Sequence, residues 1–285
     1  MTAPRVSRRR ASRGLGRLFV GSVLGASAVM ILVPLAWMVY IAFQTPRRIN
    51  EPGFGWDFSL YNFERLFGPG EDYGQQVVNS ILIVAGATLL CLICGSLAGY
   101  SLSQLNWSRK VTFTVLGGAA LLQLIPPMTL VPGLYVTLVN MGLLDTLWGL
   151  IALNTVFNLP FATILMKFYF DTLPPELREA ASIDGANETR TFLGVMLPLA
   201  GPGVGAVSIF IAIQVWNEFL FGLVFTSGGA ESPITVGIAT FIQPQALEFG
   251  PMAAIGVVTA IPIVLLAIVA NRQIVAGLTQ GAVKG

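Results

Sequence analysis

Glu176-Leu-Arg-Glu-Ala-Ala-Ser-Ile-Asp-Gly-Ala-Asn-Glu-Thr-Arg190 is a polar island in an otherwise apolar chain. It carries the charges of Glu176, Arg178, Glu179, Asp184, Glu188 and Arg190, and the sequence on either side is almost continuously hydrophobic. A segment of this kind is either a solvated loop or a docking surface. Its small residues argue for docking: an in-plane lipid anchor wants Leu, Phe, Trp and Lys rather than Ala and Gly.

The surrounding chain has the composition of a membrane protein. Of 285 residues, 54% are hydrophobic and 11% charged, with a mean hydropathy of +0.75; a soluble domain carries about 25% charged residues. Apolar stretches long enough to cross a bilayer recur, so the expected fold is all-α and polytopic. The sequence divides into a basic tail, 1–17, and a single transmembrane domain, 18–285. Histidine is absent, which removes the commonest general base and metal ligand. Cys91 and Cys94 share a helix face, but two thiols do not fill a four-ligand metal site. They read as packing residues.

Six spans are expected, at about 18–43, 77–103, 111–139, 147–169, 203–226 and 251–270. The first exceeds the roughly 7–15 apolar residues of a signal peptide and reads as a true membrane helix. Pro126, Pro127 and Pro132 break the third span, either beside a solute pathway or as a packing kink. Gly21 and Gly25 in span one, and Gly95 and Gly99 in span two, are small-residue pairs that permit close helix approach. With six spans both termini lie on one side. Connections on that side hold 13 of the Lys and Arg residues, and the other connections hold 3, Arg47, Arg48 and Arg65. The positive-inside rule then places both termini and the island at 171–191 in the cytoplasm. Residues 44–76 and 227–250 face outward.

Within the island, Pro174-Pro175 ends one helix and suits the first turn of the next, with Asp171 or Thr172 as a cap. Leu177, Ala180, Ala181 and Asp184 fall on one face of a short helix. Glu176 and Glu179 lie near its N-terminus, where the helix dipole favours acids. Gly185 is free to turn the chain in a left-handed conformation, and Asn187 to cap a second short helix.

These residues carry a resemblance. Glu179-Ala-Ala-Ser-Ile-Asp-Gly-Ala186, followed by Phe192, Leu197-Pro198 and Pro202, resembles the EAA loop of ABC-importer permeases. Asn79-Ser80, Ala98-Gly-Tyr-Ser-Leu-Ser103, Trp216-Asn-Glu-Phe-Leu220 and Gly277–Gly285 are similar to carbohydrate-uptake permeases of the maltose-permease G type; Gly99 stands where Ala is usual. The resemblance implies that the island is a cytoplasmic coupling helix between spans four and five. Glu179, Ala180, Ala181, Asp184, Gly185 and Ala186 would dock in the cleft of a separate ATPase, and Gly281 and Lys284 would reach toward that subunit. It further implies a heterodimer with a second permease subunit, two ATPase subunits, an extracytoplasmic solute-binding protein that meets loop 227–250, and residence among the lipids of a bacterial inner membrane. ATP is expected on the partner: no G-x-x-x-x-G-K-[ST] run is present in this sequence. No bound cofactor, metal or nucleic acid is expected on this chain.

Polar residues inside spans mark the solute pathway. Gln123, Asn154, Asn158, Gln214, Trp216, Asn217 and Glu218 are the candidates: amides suit sugar hydroxyls, and Trp216 offers an aromatic face. Glu218 reads either as a cavity-lining group or as a tie between helices. The scarcity of basic residues in the spans argues against a strongly anionic solute. A secondary transporter would need a coupling-ion site and often an internal repeat, and a membrane enzyme would need a nucleophile and base; neither pattern is visible. A membrane scaffold that docks a soluble partner would use the same island.

Overall fold

The computed structural model describes residues 6–51, 53, 55–226, 229–241 and 248–281, with side chains placed within 20–269. Among the described residues there is no β-strand, and the one isolated β-bridge joins Gln44 to Phe58. Long helices α1 (Val6–Ala42), α4 (Tyr73–Gln104), α7 (Leu147–Asp171) and α14 (Phe249–Gly281) alternate with broken ones. Two short helices, α2 (Pro46–Asn50) and α3 (Tyr61–Leu66), fill the first connection. Four helices are long and apolar enough to cross a bilayer, or up to six if each bent pair is one span.

Several boundaries differ from the sequence reading. Helix α1 begins inside the basic tail, and α14 continues through the expected C-terminal tail to Gly281. The third span is two helices, α5 (Arg109–Leu122) and α6 (Pro127–Met141), bent by 95° at their junction. Pro126 and Pro127 explain the break, since neither supplies a backbone N–H to the helix ladder; Pro132, expected to break the same span, instead lies inside α6, which continues through it. The island forms α8 (Glu176–Ile183) and α9 (Glu188–Thr191). A π-helical turn, Phe192–Met196, and α10 (Leu197–Leu199) then lead at a 76° bend into α11 (Gly201–Trp216). The fifth span is itself interrupted: α11 stops at Trp216 and α12 (Leu220–Phe225) restarts after three residues. Finally α13 (Ile234–Ala239) lies in the connection between α12 and α14.

The most extensive helix pairing is α4 on α7. Glycine makes it possible. A Cβ on Gly95 would lie 2.8 Å from Ala162 Cβ, and one on Gly99 would lie 2.7 Å from Lys167 N. The similar pair Gly21 and Gly25 has nothing of this chain within 4 Å. Small-residue spacing therefore permits close approach without saying where it happens. Cys91 is buried in the same interface, and its thiol donates to Thr155 O at 3.5 Å; Cys94 is exposed. Helix α11 packs across α4 and α7, and α14 packs on α1 and α11. Large apolar side chains of α1 from Val20 to Leu35 point outward, as a lipid or subunit contact requires.

Candidate functional site

Three interruptions of helix geometry meet at one cavity of about 420 Å³. The first is the α5–α6 bend, which presents Gln123. The second is Pro160 in α7, beside Asn154, Val156 and Asn158. The third is the α11–α12 break, which presents Gln214 and Glu218. Pro160 withholds the N–H that the Val156 carbonyl would otherwise receive, and both residues line the cavity. Irregular backbone at membrane depth is tolerated where it borders a wet cavity or protein. The volume falls in the roughly 300–1,000 Å³ range of small-molecule sites.

Three of the four amides and the carboxylate are held by specific partners. Asn154, 2% exposed, donates to Leu150 O at 2.9 Å, and Asn158 donates to Asn154 O at 2.9 Å. Gln123 donates to Phe157 O at 3.1 Å and so ties α5 to α7. Gln214 is exposed and lines the wall. Glu218 does not pair with the amides. Its carboxylate accepts from Phe221 N at 2.8 Å and Gly222 N at 3.3 Å, capping α12, while its own carbonyl accepts from Thr235 Oγ1 of α13 at 2.8 Å. One residue therefore borders the cavity, starts α12 and anchors the connection that holds α13.

Two of the expected pathway residues lie elsewhere. Trp216 is 4% exposed, packed in a cluster with Ala42, Ile234 and Ile255, and its indole donates to Thr259 O at 3.2 Å. It joins helices rather than offering a platform for sugar. The exposed Asn217 side chain folds back onto Ile213 O at 2.7 Å. Gly281 is the last described residue of α14, and Lys284 lies outside the described residues.

At the other end of the molecule, the island closes on itself as its composition suggested. Ala186 N reaches Ala181 O at 3.0 Å and Gly185 N reaches Ser182 O at 3.1 Å, with Gly185 at φ +80°. This is the Schellman arrangement, which needs a left-handed residue. Asn187 accepts from Arg190 N at 2.9 Å and caps α9. Neither Asp171 nor Thr172 caps α8: Asp171 is paired to Lys167 at 2.6 Å, and the Thr172 hydroxyl bonds Tyr169 O. The small-residue face also divides. Leu177 and Ala181 turn inward, Leu177 onto the core that holds Phe192 and Met196. Glu179, Ala180, Asp184 and Gly185 point outward, while Ala186 is half-buried. Beside them Ile183 stands 87% exposed, which the sequence reading did not single out.

Glu188 sits where three helices meet. It is ion-paired with Arg178 of α8, with Arg178 Nε at 3.3 Å, and accepts from the Tyr100 hydroxyl of α4 at 2.8 Å. The Arg178 guanidinium holds the Glu188 carboxyl below the usual carboxylate range, with the Tyr100 hydrogen bond adding to the effect. The Tyr100 ring packs edge-on to Phe170, at 5.6 Å, and against Phe192, at 5.0 Å.

A family model, binding-protein-dependent transport system inner membrane component, matches residues 91–279. The chain belongs to this family. The matched residues span both the cavity and the island. Among relatives of this permease family, the trehalose/maltose transport system permease protein MalG of Thermococcus litoralis is 31% identical, over 94% of this chain and 96% of its own. The diacetylchitobiose uptake system permease protein NgcG of Streptomyces coelicolor is 31% identical, over 89% of this chain and 84% of its own. In fold, the chain resembles a subunit of a bacterial ABC transporter involved in the import of the acidic polysaccharide alginate. That match has a TM-score of 0.78 at 20% identity and covers 95% of this chain and 99% of that one.

Proposed function

We propose that this permease is one membrane subunit of an ATP-driven sugar importer, with the cavity between the three helix breaks as its solute pathway. The observation that carries the proposal is the wall of that cavity: apolar side chains that include Phe157 and Phe221, interspersed with four side-chain amides and one carboxylate already engaged by backbone N–H groups, and no cation among the lining residues. Such a wall suits a neutral polyhydroxylated solute, and the relatives' names, trehalose/maltose and diacetylchitobiose, point the same way. Both termini and the island are cytoplasmic on the 13-to-3 distribution of basic residues. The outward face of α8, with Glu179, Ala180, Ile183 and Asp184 leading into Gly185 and Ala186, docks in a separate ATPase, and Ala181 supports it from behind. The tail from Gly281 through Lys284 reaches toward the same subunit. The full assembly has a second permease subunit, two ATPases that bind the ATP, and an extracytoplasmic solute-binding protein.

The docking face is tested by Glu179→Lys. The resemblance implies that Glu179 faces a basic residue of the ATPase cleft, and like charges brought together at an interface cost several kcal/mol, so ATPase recovered with the purified permease should fall about tenfold or more while membrane insertion is unchanged. Wild-type recovery and wild-type sugar uptake in this variant would exclude the docking role. Titrating the cognate binding protein with maltose, trehalose and chitobiose tests the solute class separately.

A further inference from the structure

Glu188 is the one carboxylate of the island whose described partners lie on two other helices, Arg178 on α8 and Tyr100 on α4. Tyr100 is 5% exposed and lies near the end of α4, within the run Gly95–Tyr100 that packs against α7. On the far side its ring touches Phe170, in the last turn of α7, and Phe192, the first residue of the π-helical turn. Leu177 of α8, by contrast, rests on the apolar core. Apolar contacts can slide, whereas a directed hydrogen bond to a charge-paired carboxylate resists changes of distance and angle.

We propose that Tyr100, Arg178 and Glu188 act together as a strut that locks the island to α4, so that a displacement imposed on the island is passed to the α4–α7 pair that carries Asn154 and Asn158. Tyr100 and Glu188 are positioning residues in this role. They touch neither solute nor nucleotide; they fix the angle between the docking helix and the spans. The glycine-mediated contact of α4 on α7 makes the two helices move as one body, because backbones in direct contact leave little room for slip. Without the strut, the island would still dock but would rock on its apolar bed.

This inference rests on the importer reading, and the test separates the two. The complex is purified with its ATPase subunits, reconstituted in proteoliposomes with its binding protein, and scored for sugar imported per ATP hydrolysed. Tyr100→Phe keeps the ring contacts and removes only the hydroxyl. It should retain ATPase subunits and hydrolysis while sugar per ATP falls about threefold or more, within the range by which single residues alter coupling between sites. Arg178→Glu should lower the ratio further. Combining it with Glu188→Arg should restore part of it, since the Tyr100 hydroxyl can accept from an arginine as it donates to a glutamate. A wild-type ratio in Tyr100→Phe, or no recovery in the exchanged pair, overturns the strut. A wild-type chain that brings down no ATPase, or imports sugar without ATP, overturns the importer reading itself.

Discussion

Gly99→Leu should prevent α4 from seating on α7 and leave little folded permease in the membrane. A Cβ at this position would lie 2.7 Å from Lys167 N, 2.8 Å from Met166 Cβ and 2.9 Å from Met166 C. Two of those three atoms are backbone, so no flexible side chain can swing away; one helix must retreat from the other. Retreat would open the interface along its whole length, because Gly95 and Gly86 meet α7 at similarly short range. Overpacking of a well-filled core costs about 1–3 kcal/mol. A clash against backbone falls at the upper end of that range, which is a large fraction of the stability of an ordinary domain. Gly99→Ala should show the same effect in smaller measure. That outcome would be informative in itself, since alanine is usual here in the permeases this chain resembles, and its helix contact would then be tighter than theirs. The control is Gly117→Leu on α5, where a Cβ meets nothing within 4 Å. Folded yield and thermal midpoint in detergent provide the measurement. Equal values for Gly99→Leu and Gly117→Leu would mean that the glycine contact is not what holds the pair.

The contrast between Gly95/Gly99 and Gly21/Gly25 marks the limit of pattern reading. Both pairs have the same spacing in the same apolar setting, and only one lies at a helix contact within this chain. The prolines were more informative, though unevenly: Pro126-Pro127 placed the α5–α6 bend in advance, whereas the single Pro132 is accommodated inside α6. The break after Trp216 carried no such sign. No proline or glycine lies between Gln214 and Phe219, and the restart of α12 depends on the Glu218 carboxylate reaching forward to Phe221 N and Gly222 N. In the island, the helix, its glycine turn and its asparagine cap were legible because each rests on residues three to five apart. Which face of α8 points outward was not, because that is decided by Phe192 and Met196 beneath it. The Tyr100–Glu188 bond joins residues 88 apart in sequence, a separation over which a single sequence carries no periodic signal. Trp216 shows the same limit: an indole suits a sugar platform and a packed joint equally well, and only its burial against Thr259 O distinguishes the two.

Glu218→Ala should cost both stability and transport, and the way the two losses divide tests what this carboxylate does. Removing it leaves Phe221 N and Gly222 N at the start of α12 without their acceptor. Loss of a helix cap costs about 0.5–2 kcal/mol, and an unsatisfied buried donor about 1–3 kcal/mol. The damage should spread to α13, because the Glu218 main-chain carbonyl that receives the Thr235 hydroxyl is held in place by the same cap. A lower thermal midpoint and uptake reduced about tenfold or more are the expected results. Glu218→Gln keeps one oxygen for Phe221 N but turns an NH₂ group toward the second donor, so it should fall between wild type and alanine in both measurements. A pathway residue that acted only on solute would behave differently. Its alanine variant would melt with the wild type, and the loss would appear in uptake alone. Parallel losses across Gln and Ala would instead assign Glu218 to the hinge between α11 and α12, where one residue sets both the shape of the cavity and the position of the connection that holds α13.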